Sequence, residues 1–226
     1  GIRVEEGERH RVGRVDVPED LPIPASTLRE WSGLEPGTAF STLALVKAET
    51  TLHDRLDRAG YPEAVVSGGY ALHDAVADVT LRVEPGGFRR IASVAIDGAT
   101  RTKPKILRRE FQFEEGDPLS RDAMIATQQR LYRLGIFRTV KLDYVPVEGD
   151  DPAAQTVRVS VQEAPPLTLA VGPGWTSEEG ARITFALTHA NLGGYDRTAG
   201  LQGRWSGTEQ RIQVFASEPR VFGRPI

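Results

Sequence analysis

The sequence of 226 residues contains no cysteine and only one methionine. The absence of cysteine excludes a disulfide scaffold and a thiolate metal site, and it is compatible with cytoplasm and periplasm alike. No apolar run approaches the roughly 18 residues of a membrane-spanning helix. The N-terminal sequence GIRVEEGE also lacks the basic and then apolar pattern of a signal peptide. Because 28 basic residues accompany 31 acidic ones without any run of lysine or arginine, nucleic acid is not an expected partner.

Residues that carry chemistry are equally scarce. The four histidines lie far apart, in different predicted elements: His10, His53, His73 and His189. A metal site needs at least two ligands at short, face-matched spacing, so no metal is expected. Acidic pairs such as Glu114 and Glu115 lie in turns, where a solvated charge is the ordinary outcome. No G-x-S-x-G elbow, P-loop or dinucleotide fingerprint occurs. We therefore predict no cofactor and no catalytic residues.

The chain contains an internal repeat. Residues 3–17, RVEEGERHRVGRVDV, return 79 positions later at residues 82–96 as RVEPGGFRRIASVAI. The same offset relates LEPGTAFS, which ends at Ser41, to FEEGDPLS, which ends at Ser120, whereas LDRAGYPEAVV from Leu56 matches LYRLGIFRTVK from Leu131 at an offset of 75. The difference of four residues is about one helical turn. We predict two copies of one unit that differ by a turn in one helix.

Each copy changes its apolar period in the same order. A strand is followed by a short helix, at 25–31 and 103–110, and by a longer helix that Ser41 or Ser120 opens as N-cap. Two strands complete each unit, at 64–72 and 77–84 in the first copy and at 137–145 and 156–162 in the second. The predicted fold class is α+β, with two helices on one face of a three-stranded sheet. Its buried face would contain Val79, Val83, Val159 and Val161.

The segment from Pro165 to Ile226 has no helical periodicity. Apolar and polar residues alternate between turns such as NLGGYDR, which is the weak signature of a transmembrane β-barrel. Four strands are predicted, at 167–174, 181–190, 198–205 and 210–217. Because a closed barrel needs about eight strands, this would be the start of one. Five apolar residues are expected to face lipid: Ile183, Phe185, Leu187, Ile212 and Val214.

The repeat unit resembles the POTRA domain. The phrases LYRLGIFRTVKL and NLGGYDRTAGL are similar to parts of the BamA and TamA family of outer-membrane assembly proteins, closer to TamA than to BamA. The resemblance implies the end of a preceding POTRA unit at 1–8, POTRA domains at 9–86 and 87–164, and the first strands of the barrel at 165–226. It also implies that the chain begins inside a longer protein, with its POTRA domains in the periplasm of a Gram-negative cell.

The resemblance further implies the sheet order one-three-two, which makes the second strand of each unit an edge. An exposed edge can add an extended, unfolded client as a further strand. Gly68 and Gly69 are expected to leave the first edge unobstructed by side chains. The candidate client-binding residues are Val65, Val66, Ser67, Gly68, Gly69 and Tyr70 in the first copy, and Thr139, Val140, Lys141, Leu142, Asp143 and Tyr144 in the second.

The function implied by the resemblance is non-enzymatic assembly and insertion of outer-membrane proteins. The implied partners are unfolded β-barrel proteins or autotransporters, outer-membrane lipid and an inner-membrane-anchored protein. A two-partner secretion transporter of the same superfamily is the alternative within this class. The competing class is a periplasmic α+β enzyme, which a deep pocket with convergent polar side chains would favour.

Overall fold

A computed structural model describes residues 10–178, 180–218, 220–221 and 224–225. The expected end of a preceding unit at residues 1–8 lies outside the described residues. The strands of the two repeats are β1 (Arg11–Asp16), β2 (Val65–His73), β3 (Val76–Glu84), β4 (Arg90–Asp97), β5 (Phe137–Pro146) and β6 (Ala154–Glu163). Their helices are α1 (Ala25–Ser32), α2 (Thr42–Arg58), α3 (Pro104–Arg108) and α4 (Arg121–Arg133).

The last segment contains only strands within its described residues. These are β7 (Leu167–Thr176), β8 (Gly180–Leu192), β9 (Arg197–Ser206) and β10 (Gln210–Ser217), followed by the short pair β11 (Arg220–Val221) and β12 (Arg224–Pro225). The chain packs as two compact units. One contains the first repeat, the start of β4 and residues 115–123 and 146–155. The other contains the rest of the second repeat and the strands from β7 onward.

Both repeats form a three-stranded sheet with the third strand in the centre. The strand orders are β1-β3-β2 and β4-β6-β5, so the expected topology is confirmed. In the first repeat β1 runs parallel to β3 and β2 runs antiparallel to it. The predicted buried face is also confirmed, because Val79, Val83, Val159 and Val161 are all buried. In the first repeat this face packs against an apolar stripe of α2 formed by Leu45, Ala48, Leu52 and Leu56.

The two long helices explain why the repeat offset changes from 79 to 75. Helix α2 has 17 residues and α4 has 13, and four residues are about one turn. The Oγ of Ser41 accepts a hydrogen bond from the Ala44 N–H at 3.0 Å, and the Oγ of Ser120 accepts one from the Ala123 N–H at 3.2 Å. Both predicted N-caps are confirmed. The two copies therefore have the same fold, and the long helix of the second copy is one turn shorter than that of the first.

Helix α3 is shorter than the predicted span 103–110. It begins at Pro104, and Lys103 before it is extended, with φ −67° and ψ 135°. The ring of a proline excludes the preceding residue from the helical region, so the helix cannot start earlier. At the other end, the N–H of Glu110 donates to the carbonyl of Leu107 at 3.0 Å. This tighter bonding to the third preceding residue ends the helix at Arg108.

One edge of each sheet is closed by its own chain. In the first repeat the Val12 N–H donates to Thr38 O at 2.8 Å, and Gly37 N–H donates to Val12 O at 2.7 Å. In the second repeat Ile91 makes the equivalent pair of bonds with Asp117 and Gly116, at 2.9 and 2.7 Å. Gly37 and Gly116 have φ of +85° and +101°, a conformation that favours glycine. The edges not covered in this way are β2 and β5.

The last segment forms a four-stranded antiparallel sheet in the order β10-β9-β8-β7. All four predicted strands are present, and β8 extends further than predicted, to Leu192. Beyond His189 the register shifts before Leu192 pairs with Arg197. Asn191 and Asp196, with φ of +58° and +64°, lie in or next to the turn between β8 and β9. Regular antiparallel pairing is therefore interrupted where the chain enters this turn.

Candidate functional site: sheet edges and barrel junction

The first candidate edge is β2. Its six predicted client-binding residues, Val65, Val66, Ser67, Gly68, Gly69 and Tyr70, all lie on this strand and pair continuously with residues 79–84 of β3. Val66, Gly68 and Tyr70 point toward the helices, since a Cβ built on Gly68 would meet Leu45 of α2 and the Tyr70 ring packs on Phe40 at 4.9 Å. The opposite face is solvent-exposed, and a Cβ on Gly69 would meet nothing within 4 Å.

The outward backbone of β2 is not wholly unobstructed. The Gly68 N–H donates a hydrogen bond to Oε1 of Glu49 on α2, with a nitrogen to oxygen distance of 2.5 Å. The expectation that the glycines leave the edge clear of side chains is therefore wrong at Gly68. Because N–H and C=O of one residue point to the same side of an antiparallel pair, the outward groups belong to Val66, Gly68, Tyr70 and Leu72.

The second candidate edge, β5, holds the other six predicted residues: Thr139, Val140, Lys141, Leu142, Asp143 and Tyr144. Its outward backbone is occupied at Val140. The Val140 N–H donates to the Tyr132 hydroxyl at 3.1 Å, and Nε2 of Gln128 donates to the Val140 carbonyl at 2.7 Å. Both side chains come from α4. The backbone of Val140 is thus bonded on its N–H and on its C=O by the protein itself.

The position of Val140 also fixes the direction of Lys141. Since the groups of Val140 point outward and directions alternate along a strand, those of Lys141 point toward β6. A proline at Lys141 would remove a hydrogen bond of the sheet ladder rather than an outward donor. Lys141 is consequently unsuitable as a site for a proline substitution that removes an outward donor, whereas Val66 and Leu72 on β2 have outward N–H groups.

One face of the four-stranded sheet is apolar. The five residues predicted to face lipid lie on this face together with Leu169, Val171, Leu201 and Trp205, since the register pairs Phe185 with Val171 and Gly203, and Leu187 with Leu169 and Leu201. Ile212 is 65% exposed and Val214 is 81% exposed. Phe185 is half-buried because its ring covers Gly203, where a Cβ would lie 2.4 Å from the ring. The face is continuous across all four strands.

The other face of this sheet is polar. The Thr184 hydroxyl donates to the Gly172 carbonyl at 3.1 Å, and Nε2 of Gln202 donates to Oε1 of Gln213 at 2.9 Å. These bonds run between neighbouring strands on the side opposite to Ile183 and Val214. The sheet is therefore amphipathic, with an apolar face and a hydrogen-bonded polar face, as an outer-membrane barrel wall requires.

A buried carboxylate lies where the second repeat ends. Glu163 accepts hydrogen bonds from the hydroxyl of Thr100, from N–H and Nε of Arg101, and from N–H and hydroxyl of Thr102, at 2.6 to 3.2 Å. Burial raises the pKa of Glu163, but the hydrogen bonds donated by Thr102, Arg101 and Thr100 outweigh it and lower the pKa to about 2. The carboxylate stays ionised at every ordinary pH and holds residues 100–102 in place.

The turn between β8 and β9 is attached to the same region. Oδ2 of Asp196 accepts a hydrogen bond from Nη2 of Arg109 at 2.7 Å, and Nδ2 of Asn191 donates to the Thr102 hydroxyl at 2.8 Å. Lys103 N–H donates to the Gly194 carbonyl at 3.1 Å, and a Cβ on Gly194 would lie 2.2 Å from the Arg101 carbonyl oxygen. The phrase NLGGYDR is thus a docked turn.

A family model supplies the deciding observation. The model described as POTRA, surface antigen variable number repeat, matches residues 10–86 and 89–164. The chain belongs to the POTRA family. The two matched ranges coincide with the two repeats, and they include both candidate edge strands.

The relatives of the chain are named assembly factors. The outer membrane protein assembly factor BamA of Neisseria meningitidis serogroup B is 26% identical over 222 residues, covering 96% of this chain and 28% of that protein. BamA of Neorickettsia risticii is 29% identical over 223 residues, covering 95% of this chain and 30% of that protein. The chain thus spans less than a third of these curated relatives. The expected outer-membrane location, with periplasmic POTRA domains, is confirmed, whereas the closeness to TamA stays a prediction.

A solved structure agrees with the whole architecture. The crystal structure of BamA from Haemophilus ducreyi lacking POTRA domains 1–3 matches with a TM-score of 0.73 and 21% identity, and the match covers 95% of this chain and 40% of that chain. Since the match extends over nearly the full chain, the predicted fold class is confirmed: tandem POTRA domains followed by the first antiparallel strands of a β-barrel. In this chain the four strands form an open sheet.

A carboxylate from the first POTRA domain caps a helix of the second. Asp57 on α2 is 2% exposed and accepts hydrogen bonds from the Ser120 hydroxyl at 2.5 Å, the Arg121 N–H at 2.9 Å and the Asp122 N–H at 3.1 Å. A carboxylate is favoured at a helix N-terminus because unpaired N–H groups and the helix dipole both stabilise negative charge. Asp57 therefore ties the end of α2 to the start of α4.

The described residues contain neither a cluster of metal-binding side chains nor a helix suited to spanning a membrane. No group of three or more His, Asp or Glu side chains in the described ranges could hold a metal ion. Of the helices that the structure describes, none is both long enough and apolar enough to cross a membrane.

Sequence reasoning missed the side chains that act on the POTRA edges and on the junction. Glu49, Gln128, Tyr132, Asp57 and Glu163 were not singled out. The sequence did contain an indication for Glu49 and Gln128. Glu49 lies eight residues after Ser41 and Gln128 lies eight residues after Ser120, so the two occupy the same position in the repeat. The contact of Asp57 with the helix start at Ser120 spans 63 residues and has no counterpart in local periodicity.

Proposed function

We propose that this chain is the membrane-proximal part of an outer-membrane protein assembly factor, and that it acts without enzymatic chemistry. Its POTRA domains, at 9–86 and 87–164, bind unfolded barrel clients by strand addition. The barrel strands from residue 165 place Ile183, Phe185, Leu187, Ile212 and Val214 against lipid. The names of the relatives, which are assembly factors for outer-membrane proteins, support this class of function.

The observation that carries the proposal is that backbone hydrogen bonds close the β1 and β4 edges, whereas most of the outward groups of the β2 edge are unoccupied in the described part of the chain. Residues 37–40 and 116–119 close the β1 and β4 edges with backbone hydrogen bonds. At β2 the outward groups of Val66, Tyr70 and Leu72 have no side-chain cap among the described residues. An edge with unpaired N–H and C=O groups is a template for an added strand. An unfolded barrel protein, whose segments alternate between polar and apolar residues, is the matching client.

The test uses the absence of cysteine in the native chain. Ser67→Cys places one thiol on the solvent face of β2, and the client is a synthetic peptide of residues 181–190, ARITFALTHA, with Thr184→Cys. Disulfide yield under mild oxidation measures addition of the peptide beside β2. Val66→Pro and Leu72→Pro each remove one outward donor. Losing one backbone hydrogen bond of about 0.5–1.5 kcal/mol should reduce the yield about two- to tenfold.

Val66→Ala and Leu72→Ala are the matched controls, because they shorten the same side chains and keep the N–H. Circular dichroism checks that every variant is folded. Proline variants that fold normally and cross-link as well as the alanine variants would show that the POTRA domains act as spacers and do not add client strands.

A further inference from the structure

In both POTRA domains the long helix sends a polar side chain to the outward backbone of the edge strand. Glu49 does so in the first domain and Gln128 in the second. Each lies eight residues after the serine that caps its helix, Ser41 or Ser120. The two positions are therefore equivalent in the repeat. The side chains bond to Gly68 and Val140, which lie near the middle of the two edges.

The two contacts differ in chemistry. A carboxylate only accepts hydrogen bonds, so Glu49 occupies the Gly68 N–H and leaves the Gly68 carbonyl available to another donor. At Val140 the Tyr132 hydroxyl accepts from the N–H while the Gln128 amide donates to the carbonyl. An incoming strand needs both groups of an outward residue to continue its ladder. It meets one competing bond at Gly68 and two at Val140.

The surroundings of the two strands also leave β2 more accessible than β5. Next to Gly69, Ser67, Ala71, Thr80 and Arg82 line an open depression of about 410 Å³ on the solvent face of β2. A large side chain of an added strand fits over a glycine in this position, as aromatic residues do over glycine in neighbouring strands. At the second edge Val140 is 1% exposed, beneath α4. Tyr132 and Gln128 therefore bond the backbone of a residue that is itself buried.

We propose that the helices cap the two POTRA edges unequally, so that an extended client adds to β2 by displacing Glu49 from the Gly68 N–H, while Tyr132 and Gln128 keep β5 closed at Val140. This rests on the proposed function, since it assigns which edge performs strand addition and what competes with the client. Glu49 tunes the affinity of β2 for the client, and strand addition by the second POTRA domain requires the release of its caps at Val140.

The caps themselves are tested without any client. Amide hydrogen exchange, measured by NMR in the full chain, reports the Gly68 and Val140 N–H groups individually. Glu49→Ala should increase exchange at Gly68 about tenfold, and Tyr132→Phe, which removes only the hydroxyl, should do the same at Val140. Thr50→Ala, a neighbouring exposed position on α2, is the control and should change neither amide. Unchanged exchange at Gly68 and Val140 in the cap variants would overturn the assignment of the caps.

Client binding is tested with the same cysteine peptide of residues 181–190. The chain carries a single thiol on one edge strand, either Ser67→Cys on β2 or Lys141→Cys on β5. We expect disulfide formation at β2 and not at β5 in the parent chain. Glu49→Ala should raise the yield at β2 about three- to tenfold, and Glu49→Gln, whose amide oxygen still accepts, should raise it less. Gln128→Ala combined with Tyr132→Phe should make β5 reactive.

The outcomes separate the two claims. Equal yields at β2 and β5 that do not respond to the cap variants would overturn unequal capping and leave strand addition intact. No disulfide at either edge, even after the caps are removed, would overturn strand addition itself and with it the proposed function. Reaction at β2 that Glu49→Ala increases, with β5 silent until its caps are removed, supports both claims.

Discussion

At the residue scale, single carboxylates fix the positions of whole segments in this chain. Asp57 bonds three donors at the start of α4, and Glu163 bonds five donor groups of residues 100–102. Both side chains are shielded from water, so their bonds are stronger than those of exposed carboxylates. Glu163 is 5% exposed and connects the end of β6 to the segment on which the β8–β9 turn is docked.

Glu163 should make the stability of the chain depend on pH in acid. Its pKa is lowered from 4.5 to about 2, so the unfolded chain takes up this proton first as the pH falls. The stabilisation is fully present above about pH 5 and is lost between pH 4.5 and pH 2. A shift of this size corresponds to about 3 kcal/mol. Urea unfolding at pH 6, 4 and 2.5 should show that Glu163→Gln destabilises most at pH 6 and least at pH 2.5.

Two comparisons control this measurement. Glu148→Gln changes an exposed carboxylate of a turn and should leave the free energy of unfolding nearly unchanged. Asp151, whose pKa a hydrogen bond from Arg90 lowers, titrates in both proteins and cancels from the difference between parent and variant. A Glu163→Gln effect that stayed constant from pH 6 to pH 2.5 would contradict the role given to ionised Glu163.

At the element scale, the β8–β9 turn is shaped by its contacts with the second POTRA domain. Asn191 and Asp196 adopt positive φ, and both bond to that domain through Thr102 and Arg109. Lys105 Nζ lies 4.7 Å from the centre of the Tyr195 ring, which adds a cation–π contact. The turn thereby fixes where β8 ends and where β9 begins relative to α3, inside one compact unit.

Adjacent glycines in this turn allow a matched pair of substitutions. Gly193 and Gly194 have φ of +66° and +80°, so alanine is strained by about 1 kcal/mol at either. Only at Gly194 does a Cβ collide with backbone, 2.2 Å from Arg101 O, whereas at Gly193 it reaches the Tyr195 side chain at 3.4 Å. Gly194→Ala should therefore undock the turn and increase amide exchange of Lys103, which donates to Gly194, at least tenfold.

Gly193→Ala is the control for strain without collision, and it should leave exchange at Lys103 close to that of the parent. Hydrogen exchange with mass spectrometry on the peptide covering 100–105 is sufficient to compare the two variants. If both alanines raised exchange equally, backbone strain alone would explain the effect, and the docking contact would not.

At the scale of the whole molecule, the POTRA domains and the four-stranded sheet differ in how far their apolar residues are exposed. The POTRA domains bury their apolar residues between helices and sheet, whereas the four-stranded sheet leaves Ile212 and Val214 on an open apolar face. A contiguous apolar face of this kind marks an interaction with membrane or protein. We propose lipid as the occupant, because exposed apolar residues alternate along each strand with residues of the hydrogen-bonded polar face.

This assignment predicts different effects of arginine on the two faces. Val214→Arg places a charge on the apolar face and Gln213→Arg places it on the polar face of the same strand, next in sequence. Arginine on a lipid face costs about 2–4 kcal/mol near the bilayer centre and less near the interface. Flotation with phosphatidylcholine vesicles should show at least tenfold weaker binding for Val214→Arg than for Gln213→Arg. Equal binding of the two variants would assign the apolar face to a protein partner.

Much of the fold followed from the sequence because its determinants are local. The offsets of 79 and 75 predicted two copies and the lost turn, since a helix shortened by four residues keeps its apolar stripe in register. The serine caps, the alternating valines of β3 and β6, and the period of two in the last segment were also readable, because each depends on neighbours within a few residues. The sheet order came from family likeness and not from periodicity.

Tertiary structure alone decided how the edges and the junction are used. Whether Glu49 reaches Gly68, or Tyr132 reaches Val140, depends on how a helix crosses the edge of its sheet, which no local pattern records. The direction of the Lys141 backbone likewise follows from which residue of β5 pairs with β6. The bond between Arg109 and Asp196 joins residues 87 positions apart. The sequence by itself determined the elements and their buried faces, and three-dimensional packing determined which backbone groups stay open to a partner.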